Sequence, residues 1–277
     1  MRQQLGSCVT DVSHWCTARR LQLNSDKTEA IWIGSPSKAA INKLTPQDRP
    51  LTVSNDTRID SADVVRDLGV FLDTELSMRQ HIAKVAAACF YHVRRLRQIR
   101  RRVGQAVTTR LVLAMITSRL DYCNLVLAGL PQHTLEPLQK VQNSAARLIF
   151  NLSRHDHISP SLLQLHWLPV QAGIQYKLCS LMYGVHNNRC PSYISDVVQS
   201  TKTASTRGRL RSAETTDYVL PRLRTKLAER GFSYVGPAAW NRLPESIRRT
   251  SSQAAFKRQL KTFYSVTLLT LLYEHLM

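Results

Sequence analysis

The stretch HIAKVAAACFYHVRRLRQIRRRV, residues 81–103, carries the clearest periodic signal in the chain. Its apolar residues recur at steps of three and four, which predicts a helix with one buried stripe. The stripe consists of Ile82, Val85, Cys89, Val93, Leu96, Ile99 and Val103. Five of the six arginines between positions 94 and 102 fall on the opposite arc, and Arg100 lies at its edge. The stretch therefore predicts a long helix with one apolar and one strongly basic face.

Further helical patterns follow this stretch. Gly104 interrupts the pattern, a second helix is predicted over residues 105–127, and a third is predicted to start at a Thr134 cap with Pro137 in its first turn. Three helices with short connections predict a small bundle over residues 77–152. Residues 153–277 give weaker signals, among them a helix near 172–186 and short ordered pieces from 235 and 254 onward.

The first quarter of the chain has a different pattern. A helix is predicted up to about Arg20, followed by a strand at 30–34, a hairpin formed by 51–53 and 57–59, and a strand at 68–72. The expected fold class is therefore α+β and mainly helical. We expect three parts, residues 1–76, 77–152 and 153–277.

The charge changes along the chain in the same place. The whole chain has 38 basic and 19 acidic residues, a net charge of +19. Residues 1–75 hold 9 basic and 10 acidic residues, so the remaining 29 basic and 9 acidic residues give the rest of the chain a net charge of +20. Such an excess predicts a polyanionic partner, nucleic acid before a membrane surface.

The arginine run allows two interpretations. A solvated helix face is the ordinary one, but solvated faces usually alternate acids with bases, because like charges at i, i+4 repel. Between Glu75 and Asp121 there are ten basic residues and no acid. We therefore favour binding to a phosphate backbone with little base specificity. The predicted contacts are Arg94, Arg95, Arg97, Arg100, Arg101 and Arg102, with Arg110, Lys140 and Arg147 adding to them.

Cysteine usage and hydropathy suggest a compartment. The six cysteines are dispersed and include no CxxC pair, which favours free thiols in a reducing environment. With no signal-peptide pattern and no long apolar stretch, we expect an intracellular protein of the nucleus or cytoplasm without a membrane partner. A zinc site is one interpretation of the residues Cys179, His186 and Cys190. We favour buried cysteines instead, because the spacing lacks a tight four-ligand pattern.

A series of motifs spans nearly the whole chain. The motifs are LQLNSDKTE (21–29), AIWIG (30–34), VVRDLGVFLD (64–73), SRLDYCN (118–124), LPQHTLEPLQKVQNSAARL (130–148), HDHISPSLLQLHWLPV (155–170) and GPAAWNRLPESIR (236–248). Together and in this order they resemble the C-terminal half of LINE-type (non-LTR retrotransposon) reverse transcriptases of the jockey-like group. The resemblance implies that residues 1–76 are the last part of a polymerase palm. It also implies that the basic helices are a thumb, which in the family holds the template–primer duplex, and that the C-terminal region is an extension of unassigned role.

The resemblance also indicates which parts of the enzyme are not in this sequence. The family transfers nucleotides with two Mg²⁺ ions held by palm aspartates, one motif containing an Asp-Asp pair, and these motifs are expected before Met1. No two acidic residues are adjacent in this chain, so we expect no polymerisation by the chain alone, no metal site and no cofactor. By resemblance, Lys27 is a candidate residual general acid that would protonate the leaving pyrophosphate, with an exposed structural lysine as the alternative.

Three hypotheses on function follow. The first is a truncated reverse-transcriptase-derived protein that binds RNA, DNA or their hybrid through its basic thumb, with no small-molecule substrate. The second is a functional part of an RNA-directed DNA polymerase, completed in trans by an intact reverse transcriptase. The third is a decayed retrotransposon insertion without a role, in which strands lacking their sheet partners would favour aggregation.

Overall fold

The computed structural model describes residues 2–24, 27–34, 50–53, 57–201 and 216–274, without the side chains of 2, 51–53, 57–58 and 267–274. The chain divides into two compact units, Met1–His81 and Ile82–Met277. Its class, α+β and mainly helical, is confirmed. The division into parts at 76 and 152 remains a prediction.

Among its described residues, the first unit combines one helix with two antiparallel hairpins. The elements are α1 (Arg2–Ala18), β1 (Leu51–Val53), β2 (Thr57–Ile59), β3 (Val64–Asp67) and β4 (Val70–Asp73). In the predicted hairpin, Leu51 pairs with Ile59 and Val53 with Thr57, while its turn, 54–56, lies outside the described residues. Ile59 is buried against Val9, Ala30 and Trp32, which gives this unit a small apolar core.

Two strand predictions in this unit are corrected. Residues 30–34 are extended but are not part of a strand ladder among the described residues: Ala30 forms an isolated bridge with Ser61, and the Gly34 N–H donates to the Thr74 carbonyl oxygen at 2.9 Å. The strand predicted at 68–72 begins at Val70 instead. Leu68 and Gly69 have φ values of 44° and 87°, and both positions of a two-residue type I′ turn require positive φ. Leu68 is consequently 82% exposed at the tip of the second hairpin.

The Asp73 carboxylate organises the turn that leads to the next helix. It accepts hydrogen bonds from the main-chain N–H groups of Ser77, at 2.7 Å, and Met78, at 3.0 Å. It also accepts a bond of 2.9 Å from the Ser77 hydroxyl. Leu76 and Met78 both have positive φ values. These bonds offset the strain of two left-handed residues just before the helix starts.

The long helix continues from this turn, and helices dominate the rest of the chain. The helices are α2 (Arg79–Val112), α3 (Ser118–Asp121), α4 (Gln132–Phe150), α5 (Ser159–Gln164), α6 (Val170–His186), α7 (Ser192–Ser195), α8 (Phe232–Asn241), α9 (Glu245–Arg248) and α10 (Gln253–Glu274). A π-helical turn, Leu113–Thr117, joins α2 to α3, and 3₁₀ turns occur at Asn124–Leu127 and Ala228–Arg230.

Glycine and proline set the helix boundaries in the predicted bundle. Gly104, at φ 72° and ψ 177°, breaks α2 at the predicted position. The second helical stretch ends before Cys123, whose φ is 49°. The Thr134 cap is wrong, because α4 begins two residues earlier, after Pro131 in extended conformation. Pro137 therefore lies in the second turn of α4, one turn later than predicted.

The aromatic core of the second unit holds its C-terminal helices together. Trp240 and Phe256 are fully buried, and Tyr183 stacks on Phe256 with 4.2 Å between ring centroids. The Trp240 indole N–H donates to the carbonyl oxygen of Thr216 at 2.8 Å. Trp240 is therefore a core residue. α8 packs closely on α6, and α10 does so as well.

Candidate nucleic-acid interface

The basic face of α2 is exposed over most of the arginine run, residues 94–102. Arg94, Arg95, Arg97, Arg101 and Arg102 are all exposed. On the opposite side, the apolar stripe is buried at Ile82, Cys89, Val93 and Leu96. The predicted division of α2 into an apolar and a basic face is confirmed up to this point. The stripe weakens after Leu96, because Ile99 is 39% exposed.

Arg100 differs from the other five arginines of the run. Its Nε donates to the carbonyl oxygen of Leu148 at 3.0 Å, and its Nη2 donates to that of Ile149 at 2.9 Å. Both carbonyls belong to the last turn of α4, whose carbonyl groups lack partners within the helix. The guanidinium therefore satisfies two of these acceptors and neutralises the negative end of the helix dipole. Arg100 joins α2 to α4.

Arg147 is fixed in a similar way on α4. Its Nε donates to the carbonyl oxygen of Ser153 at 3.1 Å and its Nη2 to that of Asp156 at 3.3 Å. The loop that supplies these carbonyls turns at Asn151, which has a φ of 57°. The Asp156 carboxylate accepts a bond of 2.6 Å from the main-chain N–H of Ser153. Residues 155–157 therefore belong to a polar turn.

A concave site lies between α2 and the C-terminal end of α4. We call it the arginine groove, and its volume is about 780 Å³. Polar and apolar groups complete its lining, among them Gln98, Ser144, Leu148 and Leu152. None of its described lining residues is acidic. Its five arginines are Arg97, Arg100, Arg101, Arg147 and Arg154.

Such a lining is electrostatically unfavourable by itself. Five guanidinium groups around one concave space repel one another, and the repulsion grows as the local dielectric falls. An anion that enters the groove relieves this repulsion and accepts charge-assisted hydrogen bonds from several guanidinium groups. The arrangement is therefore suited to bind phosphate groups.

The remaining predicted contacts lie outside the groove. Arg110 is exposed on α2 beyond the break at Gly104. Lys140 is exposed on α4, where its Nζ lies 2.8 Å from the Glu136 carboxylate at i, i+4. This pairing with Lys140 lowers the pKa of Glu136, first through the hydrogen bond and then through the charge. Lys140 thus shares its charge with a neighbouring acid, unlike the arginines of the groove.

Lys27 belongs to the first unit and is exposed. Its main-chain N–H lies 3.2 Å from the side-chain oxygen of Asn24 and 3.2 Å from the Asn24 carbonyl oxygen. Asn24 therefore turns the chain at this point, while Asp26 lies outside the described residues. A role of Lys27 as a general acid stays a prediction.

The predicted buried state of the zinc-like cysteines holds for Cys179. Its sulfur lies 3.4 Å from the Tyr264 hydroxyl, and burial raises the pKa of the Cys179 thiol to about 11. The Cys190 sulfur lies 3.7 Å from the Leu181 carbonyl oxygen. Within the described ranges, no group of three or more His, Cys, Asp or Glu side chains is arranged to hold a metal ion.

The described residues therefore form a mainly helical α+β protein with an arginine-lined concave site. Comparison with protein-family models, with curated proteins and with solved structures gives no match. In the part of the chain that the structure describes, no helix combines the length and the hydropathy needed to cross a bilayer.

Sequence reasoning missed one arginine of the groove and the neutral residues beside it. Arg154 follows the end of α4 by four positions, in a loop where no periodicity predicts its direction. The available signal was the αL-prone Asn151 after an apolar run, which indicates a helix end and a reversal of the chain. That signal places Arg154 near Arg147, but it does not bring either residue to α2.

Proposed function

We propose that this chain binds RNA, DNA or RNA–DNA hybrid duplexes through the basic face of α2 and the arginine groove. The interaction is electrostatic and has little sequence specificity, because arginines that contact phosphates fix position without reading base edges. The observation that carries the proposal is the convergence of five arginines from α2, α4 and the following loop on one concave site without an acid in its described lining.

The proposal includes an origin for the chain. The motif series favours descent from a LINE-type reverse transcriptase, with residues 1–76 as a palm remnant, 77–152 as a thumb and 153–277 as a C-terminal extension. A thumb origin accounts for a strongly basic helix that lacks acidic neighbours, because its counter-charge would come from the duplex. The chain would then retain the ability to bind a nucleic-acid duplex without the ability to catalyse the complete polymerase reaction.

Salt dependence tests the proposed function. The logarithm of the binding constant for a duplex falls linearly with the logarithm of salt concentration, with a slope of about −0.9 for each phosphate neutralised. We expect a steep slope for the unmodified chain, measured by fluorescence anisotropy on a labelled duplex. Replacing Arg94, Arg97 and Arg101 with Gln should weaken binding at low salt and reduce the slope by about 2 to 3.

A matched control comes from α10. Lys257, Arg258 and Lys261 are exposed there, and replacing all three with Gln removes the same charge from another surface. We expect this control to keep most of the slope. Equal losses in the two triple variants would show that total charge alone drives binding, and an unmodified chain that ignores duplexes at low salt would contradict the proposal.

The motif series also favours a second candidate function, in which the chain completes a reverse transcriptase in trans. Primer extension with an intact reverse transcriptase, with and without this chain, tests it. A chain-dependent increase in product would support this second function. Unchanged product would leave duplex binding as the remaining function.

A further inference from the structure

The basic surface has two geometrically different parts. Arg94, Arg95 and Arg102 lie on α2 outside the arginine groove, whereas Arg97 and Arg101 line it from α2. Arg147 lines it from α4, on the other side. Exposed arginines along the outside of a helix suit a nucleic-acid duplex, whose charges are spread along a rod. A concave cluster is suited to surround a compact anion instead.

Two of the groove arginines are held in place before any ligand enters. Arg100 and Arg147 each use the Nε–Nη2 edge of the guanidinium to bind main-chain carbonyls. These bonds engage two of the five N–H groups that a guanidinium carries. The Nη1 ends lie away from those carbonyls. An anchored arginine loses less conformational entropy on binding than one that is fully solvated.

The size of the groove indicates a ligand larger than one phosphate ion. Its volume of about 780 Å³ lies within the range of about 300–1,000 Å³ that is usual for small-molecule sites. Five guanidinium groups also supply more positive charge than one phosphate can balance. A chain of linked phosphate groups fits both the volume and the charge, since each phosphate can accept a two-pronged bond from one arginine.

We propose that the arginine groove is a discrete site for a compact polyphosphate, supplied either as the 5′-triphosphate end of a nucleic-acid strand or as a free triphosphate. This inference deepens the proposed function and rests on it, because both place phosphate groups against the same arginines. It differs in expecting a saturable site that binds one anion per chain, with its contacts in the groove rather than spread over α2.

Titration calorimetry with inorganic tripolyphosphate on the full chain tests the site. We expect one anion per chain, and about tenfold weaker binding when Arg97 and Arg101 are both replaced with Gln. Replacing Arg95 and Arg102 with Gln removes the same charge from the same helix outside the groove, and should weaken binding by less than about threefold. Arg147→Gln, from the opposite wall, should also weaken binding about tenfold.

The source of the phosphates is tested with two RNAs of one sequence, carrying a 5′-triphosphate or a 5′-hydroxyl. Tighter binding of the triphosphate RNA, lost in the Arg97/Arg101 variant, identifies strand ends as the ligand. Equal binding of the two RNAs, with tripolyphosphate binding intact, assigns the groove to the free anion. A thermal transition close to that of the unmodified chain establishes that each variant is folded.

Two results would overturn the inference. One is an absence of tripolyphosphate binding at low ionic strength, and the other is an equal loss in the two double variants. Neither result affects duplex binding, which the salt slope measures separately. Conversely, a chain that binds tripolyphosphate in the groove but ignores duplexes would overturn the proposed function and leave the polyphosphate site standing.

Discussion

The Arg100 guanidinium is fixed against the main chain of Leu148, 48 positions later in the sequence. Its Nε donates to the Leu148 carbonyl oxygen at 3.0 Å, and its Nη2 reaches the next carbonyl, of Ile149, at 2.9 Å. One residue of the arginine run therefore closes the end of α4, while its five exposed neighbours remain on the surface. The run combines a structural and a binding role.

This difference predicts that two adjacent substitutions affect different properties, stability in one case and anion binding in the other. Arg100→Gln should lower the free energy of unfolding by about 1.5–3 kcal/mol, because hydrogen bonds from a charged donor to half-buried carbonyls are lost. Arg101→Gln should change it by less than about 0.5 kcal/mol, as is usual for exposed positions, and should weaken anion binding instead. Denaturant unfolding followed by circular dichroism measures both variants. Equal stabilities would contradict the structural role of Arg100.

The sequence predicted α2 well because the spacing of apolar residues along a single helix is a local feature of the sequence. The buried Ile82, Cys89, Val93 and Leu96 follow directly from their spacing. The helical periodicity placed Arg100 only at the edge of the basic arc. No local sequence pattern predicts that its guanidinium binds carbonyl groups of α4. The arginine groove could not be predicted for the same reason. Its two walls come from segments about fifty residues apart, and the sequence does not show which segments pack together.

The failed predictions have a common physical cause. Residues 30–34 have the composition of a strand, but a strand also needs a neighbour that supplies successive hydrogen bonds. Among the described residues their bonds go to two different segments, since Ala30 is bridged to Ser61 and the Gly34 N–H donates to the Thr74 carbonyl oxygen. Leu68 has an apolar side chain but occupies a turn position, because the register of the hairpin places the reversal there. In both places, pairing partners decided the structure rather than composition.

The buried His81 makes stability depend on pH. Burial lowers the pKa of His81 below its ordinary value of 6.5, and its Nδ1 lies 3.5 Å from the main-chain nitrogen of Phe71. Below pH 6.5 the His81 imidazole becomes protonated in the unfolded chain while it remains neutral in the folded chain. The free energy of unfolding should therefore fall as pH drops from 6.5 toward the folded-state pKa, by at most about 1.4 kcal/mol per pH unit.

His81→Gln should remove this contribution and flatten the pH dependence below 6.5. His133→Gln, at an exposed position of α4, is the control and should leave the dependence unchanged. Denaturant midpoints between pH 8 and pH 5 provide the comparison. A His81→Gln profile parallel to that of the unmodified chain would contradict the role assigned to His81.

Two glycines of packed helices predict changes of opposite sign. A Cβ at Gly236 of α8 would lie 2.9 Å from Met182 Sδ and 3.0 Å from Phe232 Cε2. Gly236→Ala should therefore destabilise the chain by about 1–3 kcal/mol through overpacking against α6. A Cβ at Gly173 of α6 meets nothing within 4 Å, so Gly173→Ala should stabilise by about 0.5–1 kcal/mol.

Thermal unfolding of these two variants measures the closeness of the packing between α6 and α8. Both substitutions add one methyl group inside a helix, so intrinsic helix propensity favours alanine at each position. A difference in sign can then come only from the space around each Cβ. Stabilisation by Gly236→Ala would mean that α8 is less tightly packed on α6 than the structure has it.

The chain alone should not extend a primer in the presence of Mg²⁺. Phosphoryl transfer by two metal ions needs carboxylates that converge on both ions, and among the described residues no three or more His, Cys, Asp or Glu side chains are grouped to hold a metal ion. We expect a template–primer duplex to be bound but not extended when nucleotides and Mg²⁺ are supplied, as measured on a denaturing gel. A complete reverse transcriptase under the same conditions is the positive control. Mg²⁺-dependent extension that persists after the polypeptide is purified to homogeneity would contradict the interpretation of this chain as a binding remnant.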